Sequence, residues 1–165
     1  MRDSQQVGRG VIVGQPGASA LLEANKQAYA TQIVNSSAFI TSFPLALTAA
    51  QYVDALFISA GVVPTASERN AAIAAFGAGG TTGRVAALRN ASDSNSVRQA
   101  EFSAAFVLTQ YYGYLRRNPT DPPDADDTGY QTWLTKLNSF GGNFIQAEMV
   151  KAFLTSTEYR QRFGP

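Results

Sequence analysis

Histidine and cysteine are both absent from this 165-residue sequence. Without histidine, a Ser-His-Asp triad, a histidine general base and a histidine-ligated zinc ion are excluded. Without cysteine, disulfide scaffolds, thiolate catalysis and iron–sulfur clusters are excluded as well. The chemistry left for an enzyme is that of carboxylates, hydroxyls and basic side chains.

Long apolar runs and an excess of charge of one sign are missing too. No window reaches the roughly 18 apolar residues that a membrane-spanning helix needs, and Met1–Gln6 lacks the apolar run of a signal peptide. Thirteen Lys and Arg against twelve Asp and Glu leave a net charge of +1. Neither a nucleic-acid role nor a membrane-surface role follows from this near-balance, and we expect no nucleic-acid partner and no membrane span. With 45% apolar residues, the chain can form the core of one domain or of a short array of repeats.

The sequence does contain a recurring pattern for the start of a helix. A short polar residue is followed three positions later by Gln or Glu, which is the arrangement of a capping box. Four such pairs precede apolar residues at helical spacing: Thr48/Gln51, Thr65/Glu68, Ser96/Gln99 and Asn143/Gln146. The periodicity predicts about seven helices, over residues 18–43, 48–60, 66–76, 82–91, 98–115, 128–138 and 143–162. The predicted fold class is all-α, with residues 1–17, rich in glycine, as an irregular arm.

An internal repeat relates the predicted helices to one another. Residues 33–43 match residues 153–163 in a leading apolar pair, a serine, an aromatic residue and a final Phe. A repeat of about 60 residues accounts for these matches and for a shorter copy between them. We therefore predict one helical domain over 18–165, made of a partial repeat (18–44), a degenerate repeat (48–99) and a full repeat (100–165). Since the pattern starts partway through a repeat, we expect a piece of a longer protein, and self-association through the incomplete repeat stays open.

The full repeat resembles a known bacterial family. It reads Tyr112-Gly113-Tyr114-Leu115-Arg116-Arg117-Asn118-Pro119, then an Asp-rich loop, Gly129-Tyr130 and Trp133-Leu134, and it closes with Ser156-Thr157-Glu158-Tyr159. This order resembles the "domain of unknown function 4214" family, in the version found at the C-terminal end of exported acidobacterial proteins. Arg116 departs from the glycine that is usual in that family, and Pro119-Thr120-Asp121 replaces a proline-aspartate pair.

The resemblance implies a binding or spacer module rather than an enzyme. Such domains accompany haemolysin-type calcium-binding repeats and surface-layer proteins, and they are distantly similar to phycobilisome linker domains. For this chain, the resemblance implies an extracellular or cell-surface location and a non-catalytic role. It implies no catalytic residues.

The loop before Gly129 is a candidate calcium site. Its candidate ligands are four carboxylates close together in the chain: Asp121, Asp124, Asp126 and Asp127. Ca²⁺ binds six to eight oxygen atoms, so such a cluster has suitable chemistry. The twelfth position counted from Asp124 is Thr135 rather than the Glu of an EF-hand. The alternative is that Asp127 or Thr128 caps the helix that contains Trp133, with the other carboxylates near its positive end.

Two further pairs are candidate ligand-binding residues. Arg116 and Arg117 would bind a carboxylated or phosphorylated partner, unless they form an internal ion pair with Asp121 or Asp124. Tyr114 and Tyr130 would stack on a sugar ring, unless they belong to the core.

Together these observations predict a non-catalytic interaction or spacer module of an exported bacterial surface protein. Its expected partners are other domains of the parent protein, the cell envelope or an envelope polysaccharide. A calcium-dependent glycan-binding module is the first alternative, and Ca²⁺ is the candidate cofactor. A carboxylate-dependent glycan hydrolase is the second alternative, although no spacing joins Glu101, Glu148 or Glu158 into an acid/base pair. No catalytic residue is predicted.

Overall fold

The computed structural model describes residues 2–164, with side chains from Ser4 onward, and these residues form helices and loops without a β-strand. The α-helices are α1 (Arg2–Val7), α2 (Ala18–Val34), α3 (Ser37–Ser42), α4 (Ala49–Ser59), α5 (Ala66–Phe76), α6 (Gly80–Ser92), α7 (Asn95–Gln110), α8 (Thr128–Ser139), α9 (Met149–Thr155) and α10 (Thr157–Phe163). The all-α prediction is confirmed, with more and shorter helices than predicted. Within the described part of the chain, no helix combines the length and the hydropathy needed to cross a membrane.

The chain divides into two compact units, which we call unit 1 (Met1–Val97) and unit 2 (Arg98–Pro165). The boundary falls inside α7, next to the predicted junction between the degenerate and the full repeat. Each unit has its own cluster of buried apolar side chains. Each therefore has a hydrophobic core of its own.

Unit 1 is organised around α4 and α5, and both begin with a predicted capping box. The Thr48 hydroxyl accepts a hydrogen bond from the Gln51 N–H, and Gln51 Oε1 accepts one from the Thr48 N–H at 3.0 Å. Thr65 and Glu68 form the same pair at the start of α5. These boxes satisfy N–H groups that the first helical turn leaves unpaired. The core against which these helices pack consists of Phe43, Tyr52, Val53, Leu56, Phe57, Ala72, Ala87 and Ala91.

A glycine permits the close approach of α6 to the end of α5. A β-carbon placed on Gly83 would stand 2.0 Å from the carbonyl oxygen of Phe76. The contact is with backbone, so no rotation of a side chain would relieve it. Only glycine is therefore compatible with this packing.

Unit 2 contains the remainder of α7, a π-helical turn (Tyr111–Leu115), and α8 to α10. Phe153 lies at its centre, with its ring 5.3 Å from the Tyr111 ring, edge to face, and 5.2 Å from the Trp133 ring. Aromatic pairs at these distances stabilise a core beyond the area that they bury. The buried residues of this core are Val107, Tyr111, Leu115, Leu137, Ala147, Met149 and Phe153.

Three predicted segments differ from the structure. The helix predicted over 18–43 is interrupted at Ser36, whose backbone is extended, with φ −72° and ψ 144°. Arg2–Val7 is helical, whereas the glycine content around it predicted an irregular arm. The helix predicted over 143–162 is interrupted at Ser156, whose backbone is extended, with φ −62° and ψ 149°. The Ser156 hydroxyl accepts a hydrogen bond from the Tyr159 N–H at 3.1 Å, so the serine caps a new helix instead of continuing the old one.

Two of the four predicted capping boxes are also wrong. Ser96 lies inside α7, and its N–H and hydroxyl both donate to the Glu68 carboxylate. These bonds, together with those from Thr65, lower the pKa of Glu68 to about 2. Asn143 does accept from the Gln146 N–H at 3.1 Å, but it does so in a turn that precedes α9.

Candidate functional site

The candidate site lies in unit 2, where the chain leaves α7. The π-helical turn is followed by Arg116 in the left-handed region, with φ 49° and ψ 43°. The next side chain, Arg117, is only 6% exposed, and its guanidinium lies 5.1 Å from the centre of the Tyr111 ring. π-Helical turns are frequent at functional sites.

Two carboxylates compensate the buried charge of Arg117. Its Nε donates to Oε1 of Glu158 at 2.6 Å, while Nη2 donates to Oε2 of Glu158 at 2.9 Å and to Oδ2 of Asp124 at 2.7 Å. The hydrogen bond to Glu158, and then that to Asp124, raise the pKa of the Arg117 guanidinium above its usual value. Arg162 adds a longer ion pair to Glu158 at 3.5 Å. The planar fork of an arginine matches this carboxylate geometry better than a lysine would.

The remaining nitrogen of Arg117 holds the loop that leads to α8. Its Nη1 donates to the carbonyl oxygens of Asn118, Pro119 and Asp121 at 3.0, 3.2 and 3.0 Å. Every nitrogen of the guanidinium is thus engaged within the protein. The internal ion pair expected for this arginine is present, with Asp124 as the partner. No donor of Arg117 is left for an additional anion.

A cavity of about 220 Å³ adjoins this network. One part of its wall is aromatic and apolar, and another part is charged. Gly129 allows α8 to start at this wall, since a β-carbon there would stand 2.9 Å from the Tyr111 hydroxyl and 3.4 Å from Oδ2 of Asp124. The residues that line the cavity are Tyr111, Leu115, Arg117, Asp124, Gly129, Trp133, Ala152, Phe153, Ser156 and Glu158.

Each of the four candidate calcium ligands has a partner within the protein. Asp124 binds Arg117, whereas Oδ2 of Asp121 accepts from the N–H and the side-chain amide of Asn118. Asp127 accepts from the side chain of Gln131 at 3.1 Å. Among the described residues, no three acidic, histidine or cysteine side chains group together so as to hold a metal ion. The calcium site therefore stays a prediction.

Helix capping at α8 occurs through a different aspartate from the one expected. Asp127 occupies the N-cap position, but its side chain makes no capping hydrogen bond. Instead, Oδ1 of Asp126 accepts from the Thr128 N–H at 2.9 Å, and hydrogen bonding by Thr128 lowers the pKa of Asp126. A carboxylate near the first turn also interacts favourably with the helix dipole.

The other candidate ligand-binding residues lie away from the cavity lining. Arg116 is exposed, and its guanidinium lies 5.5 Å from the centre of the Phe163 ring. Tyr114 is half-buried and packs edge to face against Tyr159 at 6.3 Å. Tyr130 is also half-buried; its hydroxyl donates to the Ala104 carbonyl at 3.2 Å, and burial raises its pKa. Both tyrosines pack against the core of unit 2 rather than forming an open platform.

Sequence reasoning missed Tyr111 and Glu158 as residues of this site. Tyr111 was one aromatic among many at helical spacing, and Glu158 had no neighbour in sequence that suggested a partner. The available indication is that Glu158 belongs to the motif Ser156-Thr157-Glu158-Tyr159, which closes the full repeat and begins α10.

No protein-family model, curated protein or solved structure matches this chain. The resemblance of the full repeat to the "domain of unknown function 4214" family therefore stays a prediction.

Proposed function

We propose that this chain is a non-catalytic interaction module of an exported bacterial surface protein, docking onto the cell envelope, a neighbouring domain or a glycan. The observation that supports it most is that Asp124 and Glu158 both bind the same Nη2 atom of Arg117. A glycosidase needs one carboxyl group as a proton donor and a second as base or nucleophile. Carboxylates that share one guanidinium both serve as its counter-ions, a role that requires their charged form. The pair thus suits a fixed framework better than proton transfer.

The part of the proposal that concerns an exported repeat protein rests on the resemblance and on the repeat. Ser36 and Ser156, which the repeat aligns, have similar extended backbones, and each hydroxyl accepts from the N–H three residues later. Each hydroxyl also donates to the carbonyl three residues earlier, at 2.8 and 2.7 Å. The same backbone conformation and hydrogen bonds at Ser36 and Ser156 support the view that α2–α3 and α9–α10 are equivalent parts of two copies of the repeat. Modules built in this way typically present surfaces for binding.

Co-sedimentation with bacterial envelope preparations, cellulose and chitin tests the proposed function. We expect saturable binding of the chain to at least one of them, without release of reducing sugar. Glu158→Gln and the exposed Glu148→Gln, whose carboxylate pairs with Lys151, form a matched pair of variants. Sugar release that either substitution abolished would show a hydrolase and overturn the proposal.

The same assay distinguishes the calcium-dependent glycan-binding alternative from the proposed module. Sedimentation is measured in EDTA and in millimolar Ca²⁺, with the exposed Asp126→Ala as the variant. Binding that is equal in both buffers supports a calcium-independent module. Binding that needs Ca²⁺ and is lost in Asp126→Ala would favour the calcium-dependent glycan-binding module instead.

A further inference from the structure

The wall of the cavity in unit 2 includes the hydroxyl of Tyr111. Tyr111 as a residue is only 3% exposed, but its hydroxyl is not among the fully buried polar atoms that lack a partner, and it lies at the cavity wall. It lies beside Gly129 and Asp124, which both line the cavity. Burial raises the pKa of Tyr111, so the phenol is protonated near neutral pH and can donate. A hydroxyl at the wall of a cavity can donate to a water molecule or to a ligand oxygen in that cavity.

The other polar groups of the cavity offer acceptors rather than donors. Arg117 has used every nitrogen, and the Ser156 hydroxyl donates to Phe153 O while it accepts from Tyr159 N. Asp124 and Glu158 are acceptors only, and a carboxylate offers about four acceptor positions. Asp124 is 34% exposed and Glu158 21%, so both are reachable from solvent. A ligand of this cavity must therefore accept one hydrogen bond and donate one or more.

Each charged group that lines the cavity has a partner of opposite charge. Arg117 pairs with Asp124 and with Glu158, and Arg162, which lies outside the lining, adds a longer pair to Glu158 at 3.5 Å. An ion entering the cavity would lose hydration without meeting an unpaired counter-charge, which is unfavourable. A neutral ligand with hydroxyl groups meets no such cost.

The size and the apolar wall of the cavity further restrict the class of ligand that it can bind. The cavity of about 220 Å³ is smaller than the roughly 300–1,000 Å³ of sites for drug-sized ligands. Trp133 and Phe153 supply flat faces on one side, and the carboxylates lie on another. A pyranose ring combines apolar C–H faces with an edge of hydroxyls, each of which donates and accepts.

We propose that this cavity binds a single neutral pyranose unit of a glycan. The ring lies against Trp133 and Phe153, the Tyr111 hydroxyl donates to a sugar oxygen, and the Asp124 carboxylate accepts from a sugar hydroxyl. Arg117 does not touch the sugar; it positions Asp124. This inference rests on the proposed function and names a ligand class for it. It requires no metal ion.

Tryptophan fluorescence offers a direct test, because Trp133 is the only tryptophan in the chain. The probes are glucose, galactose, mannose and N-acetylglucosamine, with sodium acetate and ethylamine hydrochloride as charged probes of similar or smaller size. For one sugar ring we expect saturation at about millimolar concentration. Tyr111→Phe should weaken binding about fivefold, since it removes one hydrogen bond. The control is Tyr112→Phe, because the exposed Tyr112 hydroxyl bonds Asn118 outside the cavity and its loss should leave the sugar affinity unchanged.

Tyr111→Phe keeps the aromatic ring in the core of unit 2, so the variant is expected to fold, which circular dichroism checks. Saturation by none of the four sugars, equal affinity in Tyr111→Phe and the parent, or tighter binding of a charged probe would each overturn the inference. If the sugars fail while the chain still sediments with envelopes, the proposed function stands and only the sugar site is wrong. If both assays fail, the proposed function fails with it.

Discussion

Units 1 and 2 each bury an arginine against the ring of a tyrosine, but the two arginines have different partners. In unit 1 the guanidinium of Arg84 lies 4.2 Å from the centre of the Tyr52 ring. In unit 2 Arg117 lies over Tyr111 in the same way, at 5.1 Å. Both arginines are almost fully buried. A cation over an aromatic ring is favourable, and more so when both are shielded from water.

Arg84 donates to two backbone carbonyls. Its Nη2 donates to the Phe43 carbonyl at 2.5 Å and its Nη1 to the Pro44 carbonyl at 3.3 Å, where α3 has just ended. Its Nε has no partner among the described residues. The tyrosine hydroxyl completes the arrangement, because Tyr52 donates to the Arg84 carbonyl at 3.1 Å. In unit 1 the arginine therefore connects one chain segment to another, and among the described residues it forms no ion pair.

The comparison of Arg84 with Arg117 shows what the acidic residues beside Arg117 contribute to unit 2. Two carboxylates make Arg117 part of a charged wall, and they keep acceptor capacity toward the cavity. The Tyr52 hydroxyl in unit 1 donates to a backbone carbonyl, whereas the Tyr111 hydroxyl in unit 2 lies at the wall of the cavity. A similar arginine and tyrosine thus serve packing in one unit and frame a cavity in the other.

The largest contrast is expected when each arginine is replaced by methionine. Arg117→Met leaves Asp124 and Glu158 without their main counter-charge, which should cost about 3 kcal/mol of unfolding free energy. Arg84→Met leaves two carbonyl groups unpaired but no charge, and should cost about 1–2 kcal/mol. Hydrogen exchange followed by mass spectrometry assigns each loss to its own unit. Equal losses in the two variants would contradict the distinction.

A second pair of substitutions compares one close-packed glycine from each unit, Gly83 in unit 1 and Gly129 in unit 2. Gly83→Ala brings a β-carbon against the Phe76 carbonyl, and should cost about 2–3 kcal/mol because backbone must move. Gly129→Ala brings a β-carbon 2.9 Å from the Tyr111 hydroxyl, a smaller overlap that a slight displacement of side chains at the cavity wall relieves without backbone movement, so about 1 kcal/mol is expected. Urea unfolding measures both. The order of the two costs is the prediction, and a larger loss for Gly129→Ala would refute it.

Alkaline pH tests the burial of Tyr52. Burial raises the pKa of Tyr52 to about 12, from an ordinary value of 10. A raised folded-state pKa contributes stability that is complete below pH 10 and is lost as the pH rises from 10 to 12, in total about 2 kcal/mol. The measurement is the difference in unfolding free energy between the parent and Tyr52→Phe across this range. As the pH rises, the parent should lose unfolding free energy relative to Tyr52→Phe. If the difference between the two proteins stays constant, the Tyr52 phenol ionises as freely in the folded state as in the unfolded state.

The smallest expected effect concerns backbone strain, which differs between the units. Among the described residues, the two non-glycine residues with positive φ, Arg116 and Glu148, both lie in unit 2. Arg116→Gly should raise the unfolding free energy by about 0.5 kcal/mol, since glycine enters the left-handed region freely. Lys151→Gly, inside α9, is the control and should lower it by about 1 kcal/mol. Thermal unfolding distinguishes the two signs.

The features that sequence predicted are local ones. The capping boxes at Thr48 and Thr65 each involve residues three positions apart, so the pattern and the structure coincide. The break at Ser156 was missed because apolar spacing continues across it, and serine at that position caps a helix only if the chain before it is extended. The helix Arg2–Val7 was not predicted because the glycines near this short segment indicated an irregular chain.

The site was predicted only in part for a similar reason. Arg117 and Asp124 are close in sequence, and their ion pair was among the expected alternatives. Glu158 is 41 residues from Arg117, and only tertiary folding brings the two together. The position of the Tyr111 hydroxyl at the cavity wall is a property of the packed core, which no spacing of residues encodes.

Replacing Tyr52 and Tyr111, one at a time, by phenylalanine tests most directly whether the Tyr111 hydroxyl is a free donor. Tyr52→Phe removes a hydroxyl that donates to Arg84 O and should cost about 1 kcal/mol at neutral pH. Tyr111→Phe removes a hydroxyl that lies at the wall of the cavity and should change the unfolding free energy by less than about 0.5 kcal/mol. Urea unfolding, followed by circular dichroism for Tyr52→Phe and by Trp133 fluorescence for Tyr111→Phe, gives both values. A loss in Tyr111→Phe as large as that in Tyr52→Phe would show that the fold itself uses this hydroxyl, and that the cavity has no free donor for a ligand.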